Sequence, residues 1–135
     1  MPVETLNPTG LPDVGIYRQV AVATGTRSVY LAGQVARTAD GTPVGPDDLA
    51  AQTEQALVNV HTGLAAAGAG FADITRLTFY VVDWKPEQMG ELLDGLSRAT
   101  DRVGERLTPP MTLIGVAALA EPDLMIEVEA VAVLP

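Results

Sequence analysis

Two acids near the C-terminus, Glu127 and Glu129, are the residues of this chain whose types and spacing best suit chemistry. In an extended segment they project from one face roughly 7 Å apart, while Ile126, Val128 and Ala130 point to the other. Their own face also carries Met125, Val131 and Val133, more apolar surface than a fully solvated face needs. A carboxylate set among apolar neighbours with a second acid nearby is suited to exchange protons near neutrality. The same spacing also describes a sheet edge at which both acids simply meet water, and spacing alone leaves the two readings open.

Other chemistries fare worse. One His and no Cys cannot supply the usual set of metal ligands, so no metal site and no cofactor is expected. His61 would have to serve any Ser-His-Asp triad, and no serine stands in a nucleophile-elbow context. It lies about 40° from the centre of the apolar stripe of its helix when positions advance ~100° per residue, so it is read as a structural flank residue. The glycine-containing stretches GAGF and TGLP lack the strand, Gly-rich turn, helix order that phosphate cradling requires.

The elements that must position the acids are marked by punctuation. IYRQVAVAT and SVYLAGQVA read as two strands of a hairpin joined through Gly25-Thr26-Arg27. Pro46-Asp47-Asp48 opens a helix whose apolar stripe runs through Leu49, Thr53, Leu57, Val60 and Leu64 and ends near Gly68 and Gly70. ITRLTFYVV is β-branched and aromatic, and reads as a central strand. Asp83 is expected to cap a second helix with Pro86 in its first turn and Met89, Leu92, Leu93, Leu96 and Val103 on its buried face. PPMTLIGVAAL, an apolar run behind two prolines, reads as a strand covered on both faces, and LMIEVEAVAVLP as the last strand. The order ββ, α, β, α, ββ points to an α+β fold: a mixed sheet with both helices on one face, in a single domain spanning residues 1–135. Strands apolar on both faces leave the second face to be covered by further copies of the chain.

Composition narrows the partners. Seventeen acidic residues against eight basic ones give a formal charge of -9, which repels nucleic acid and anionic membrane surfaces. The absence of Cys fits a reducing compartment, and no signal peptide or spanning run is read, so a cytoplasmic protein is expected.

Taken in order, GIYRQ, YLAGQV, AAQTEQALVNV, ITRLTFYVVD and VEAVAV span nearly the whole chain and resemble the RidA/YjgF family. The resemblance implies a chorismate-mutase-like fold, a homotrimer whose sheets form an inner barrel, and small-molecule clefts between neighbouring subunits. It further implies hydrolysis of enamines and imines such as 2-aminoacrylate to keto acids and ammonia. In the family an arginine in a Pro-x-Arg-Ser/Thr stretch grips the substrate carboxylate, and a glutamate of the terminal strand holds the attacking water. Pro109-Pro110-Met111-Thr112 matches the first stretch with Met111 in the arginine's place, Glu127 matches the glutamate, and Tyr17 matches the cleft tyrosine. Ala32 stands in place of the small polar residue that commonly precedes the Gly-Gln of the second strand in the family, here Gly33 and Gln34, and Glu91 corresponds to a polar position of the second helix.

The change at position 111 is consequential. A thioether cannot replace a bidentate guanidinium, and a carboxylate left desolvated and unpaired costs roughly 2 to 5 kcal/mol. The expected substrate is therefore an enamine or imine without a small carboxylate, with Met111 as a flexible apolar wall. A non-catalytic metabolite-binding trimer and an acid/base enzyme catalysing tautomerisation are the alternatives. Arg18, Arg37 and Arg106 are the residues that could replace the missing arginine, and Glu129 has no assigned role.

Overall fold

The computed structural model describes residues 2–135. Its elements are β1 (Val3–Leu6), β2 (Val20–Ala23), β3 (Arg27–Tyr30), α1 (Leu49–Ala66), β4 (Ile74–Val82), α2 (Met89–Val103), β5 (Met111–Val116) and β6 (Ile126–Leu134). Four strands form a mixed sheet in the order β3-β6-β4-β5, with β6 antiparallel to both neighbours and β5 parallel to β4. The strands β1 and β2 pair separately as an antiparallel ribbon.

Both helices lie on one face of the sheet, and the alternation of the strands says which one. Leu77, Phe79 and Val81 of β4 and Ile126, Val128, Ala130 and Ala132 of β6 are buried in one core with the α1 stripe. All five stripe residues read from the sequence, Leu49, Thr53, Leu57, Val60 and Leu64, are buried. The helix starts where expected, because the Asp48 carboxylate accepts the Ala51 N–H at 3.0 Å. Against it, α2 packs through Gly95, where a Cβ would lie 2.6 Å from the Thr53 Cβ. The glycine that weakens α2 as an isolated helix is what lets the two helices close together.

Three expectations need correction. The Gly25-Thr26-Arg27 connection does not make a hairpin: β2 gives its ladder to β1, while β3 pairs with β6. The Thr24 N–H donates to Pro2 O at 2.7 Å, so the chain is held to the ribbon until it crosses to the main sheet. The last strand, β6, inserts between β3 and β4. Within one chain β5 is an edge strand with Ile114 and Gly115 exposed, not a strand covered on both faces. Finally, Asp83 is not a helix cap: it takes a positive φ of 50° and its N–H donates to Val116 O, and α2 begins only after a short turn at Pro86–Gln88. Gln88 closes that turn by accepting the Lys85 N–H on its side chain at 2.8 Å.

Candidate functional site

The residues singled out from the sequence fall into two groups. The first is built by strand pairing. Tyr30 of β3 faces Val131 of β6, and further along Gln34 faces Val128. Four steps along the first segment are therefore matched by three along β6, which leaves one extra residue between Leu31 and Gly33, a bulge. Backbone bonds pin both sides of it: Leu31 N–H to Ala130 O at 3.3 Å, Gln34 N–H to Val128 O at 2.7 Å and Val128 N–H to Gln34 O at 2.9 Å. The Gln34 side chain also donates to Ala32 O at 3.0 Å. The bulge lays Gly33 directly on Glu127, so that a Cβ there would overlap the carboxylate and lie 2.7 Å from its Cδ. Ala32, beside it, is exposed.

Glu127 is half-buried, with Tyr80 of β4 directly across from it and Thr78 across from Glu129. The Tyr80 hydroxyl donates to Glu129 Oε1 at 3.3 Å. Burial, then the Glu129 charge, push the pKa of that phenol up, and it stays a protonated donor near neutrality. Sequence reasoning passed over Tyr80. Its parity with Arg76 and Thr78, the polar positions of ITRLTFYVV, was the available signal.

The second group is built by side-chain packing. Met111 pairs with Leu77 and shares the helix-facing side of the sheet. It lines a cavity of about 270 Å³ together with Ile16, Tyr17, Met89, Leu92 and Thr112. The apolar residues of α2 supply its wall. Glu91 is exposed and not among the lining residues, so the polar position assigned to that helix stands outside the cavity.

Within one chain these groups are on opposite faces of the sheet. Gly33, Glu127 and Tyr80 belong to the face away from the helices, Tyr17 and Met111 to the helix side at the β5 edge. The remaining candidates have other duties. Arg37 is bound by Asp123 at 2.8 Å and Glu121 at 3.0 Å, which ties the segment after the bulge to the turn before β6. His61 Nε2 meets Glu105 Oε2 at 2.6 Å and stacks edge-on against Phe71, whose N–H donates to Glu105 Oε1 at 2.9 Å. Burial of Glu105 works to raise its pKa, but the Phe71 N–H and the His61 ring outweigh it and hold the carboxyl below the usual glutamate value. His61 is thus a tie between α1 and the segment that leads into β5.

Residues 10–134 match the family model described as Endoribonuclease L-PSP. The chain belongs to this family, the RidA/YjgF family. Among RidA/YjgF proteins it is 35% identical over 100 residues to the RutC family protein YjgH of Escherichia coli K12, covering 74% of this chain and 72% of YjgH. The crystal structure of YyfB, a Rid-family protein of Yersinia pestis, superposes with a TM-score of 0.87 at 35% identity, over 99% of this chain and 100% of that one. Escherichia coli TdcF, solved with bound serine, gives a TM-score of 0.69 at 25% identity over 97% and 94% of the two chains. The two helices on a mixed sheet are the fold of this family. No helix among the described residues is long and apolar enough to cross a membrane.

Proposed function

We propose that this chain works as a homotrimer that hydrolyses enamine or imine intermediates in clefts between subunits. Each cleft joins the Gly33–Glu127 corner of one copy to the Tyr17–Met111 cavity of the next. The observation that carries the reading is the seating of the Glu127 carboxylate on the bare backbone of Gly33. That seat sets the acid against the bulge and leaves it half-exposed, on a face that the chain does not cover by itself. Glu127 takes a proton from water as its oxygen bonds to the imine carbon. The proton passes to the nitrogen to give a carbinolamine; Glu127 then carries the carbinolamine hydroxyl proton to the nitrogen as the C–N bond breaks, and a ketone and ammonia leave. Tyr17 orients the substrate from the other wall, and Met111 and Thr112 line it.

TdcF holds serine, whereas here position 111 offers a thioether to any small carboxylate. The substrate is accordingly one without a carboxylate next to the reacting carbon. Ribonuclease chemistry, which the family description names, is disfavoured in this chain by the charge of -9 and by the engagement of its single His with Glu105.

The test is ammonia release from imines generated in situ, small acidic ones and larger neutral ones, by wild type and Glu127→Ala. Release above background by wild type on the larger imines, lost in the variant, is expected. Equal rates in the two proteins sink the reading, as does a monomer by light scattering.

A further inference from the structure

Beside the Met111 cavity lies a second one of about 410 Å³, and Tyr17 lines both. Its floor is Val3 and Thr5 of β1 with Phe71 and Ile74, and its rim carries two guanidinium groups, Arg18 and Arg106. The backbone brings them together: the Arg18 N–H donates to Thr108 O at 3.0 Å, which zips the segment after Tyr17 onto the segment before β5. The arm that forms the other wall is itself bonded, since Asn7 Oδ1 accepts the Gln19 N–H at 2.9 Å and the Gln19 side chain donates to Pro12 O at 2.8 Å.

Two of the chain's eight basic residues line this one cavity. Three of the eight bases, Arg37, Arg98 and Arg102, are ion-paired. Among the described residues, neither Arg18 nor Arg106 has a carboxylate within ion-pairing distance. Asp13 also lines the cavity, where the Asn7 amide donates to it at 3.3 Å, so the rim holds two cations against one acid. Two guanidinium-bearing side chains on one cavity offer an oxyanion held there donors from both.

We propose that Arg18 and Arg106 form a subsite for the oxyanion end of a ligand, a carboxylate or a phosphate, whose apolar and reacting part lies on the Met111 side of Tyr17. The class is an acid with a spacer: its charged group stands several bonds from the centre that reacts, instead of beside it. The inference rests on the reading of the Tyr17–Met111 cavity as the ligand cleft, and it changes what that cleft admits. The anchor lost at position 111 is replaced by one displaced across Tyr17.

Calorimetric titration of Glu127→Ala, which takes turnover out of the measurement, separates the two readings. The probes are hexanoate, hexanamide and hexyl phosphate at low ionic strength. Hexanoate or hexyl phosphate is expected to bind at least about tenfold tighter than hexanamide. The preference should vanish in Glu127→Ala/Arg18→Gln/Arg106→Gln and weaken with added salt, because both arginines are exposed. Whichever acid binds tighter assigns the subsite to carboxylates or to phosphates. Equal binding of acid and amide, a preference that survives in the triple variant, or no binding by any probe overturns the subsite. Ammonia release unaffected by Glu127→Ala overturns the deaminase reading alone and leaves this result standing.

Discussion

The corner at Gly33 and Glu127 and the cavity at Tyr17 and Met111 are built by different forces. Main-chain hydrogen bonds on both sides of a bulge fix the first, and the backbone that carries the acid cannot shift without breaking register with β4 or the bulged segment. The second is enclosed by a loop, one face of α2 and an edge strand, held by packing and by ties such as His61 to Glu105. A ladder sets positions to within a bond length, whereas packed side chains adapt to volume. The rigid corner suits a group that must aim at a reacting atom. The adaptable cavity suits the part of a site that selects among ligands.

The comparison can be broken most severely at the corner. Gly33→Ala should displace the Glu127 carboxylate and lower imine hydrolysis by about a hundredfold, close to 2.7 kcal/mol in the barrier. Stability should change by less than about 1 kcal/mol, since the atoms that move are the end of a flexible side chain. The double variant with Glu127→Ala should be no worse than either single one, because both remove the same interaction. Additive losses would show that Gly33 acts without Glu127. Met111→Arg probes the adaptable half: turnover of the 2-aminoacrylate-derived imine should rise at least about tenfold, as a guanidinium meets the small carboxylate. A folded trimer with no gain places the ligand elsewhere.

The smallest effect is expected at the tie that steadies the cavity side. Glu105→Gln should cost about 1 kcal/mol at pH 7, discounted because the side chain is 39% exposed. The carboxyl of Glu105 is held below its ordinary value of 4.5, so its contribution is present above that pH and is lost as pH falls through the lower folded value. Urea unfolding at pH 7 and pH 3 should therefore show a difference between wild type and variant that fades in acid. A constant difference would mean that the ionised form is not what stabilises.

Much of this was legible in the chain itself. The α1 stripe is buried as its spacing requires, and the alternation of Glu127 and Glu129 with Ile126, Val128 and Ala130 separates the two faces of β6 as written. The hairpin at Gly25 was misread because a turn signal reports that the chain bends and cannot say which strand it bends towards. The cap at Asp83 failed for a related reason, since the residue serves a turn closed by Val116 from another strand.

What the sequence determined by itself is local and periodic: which residues form helices, which faces are apolar, and which residue types are at hand for chemistry. Only the tertiary structure decided that β6 lies between β3 and β4, that a bulge sets Gly33 on Glu127, and that Met111 and Glu127 face opposite sides of the sheet. The reason is that side-chain periodicity is a property of each strand alone. Register and strand order arise from bonds between segments as distant in sequence as Arg27 and Leu134, and the choice of partner is written in no single one of them.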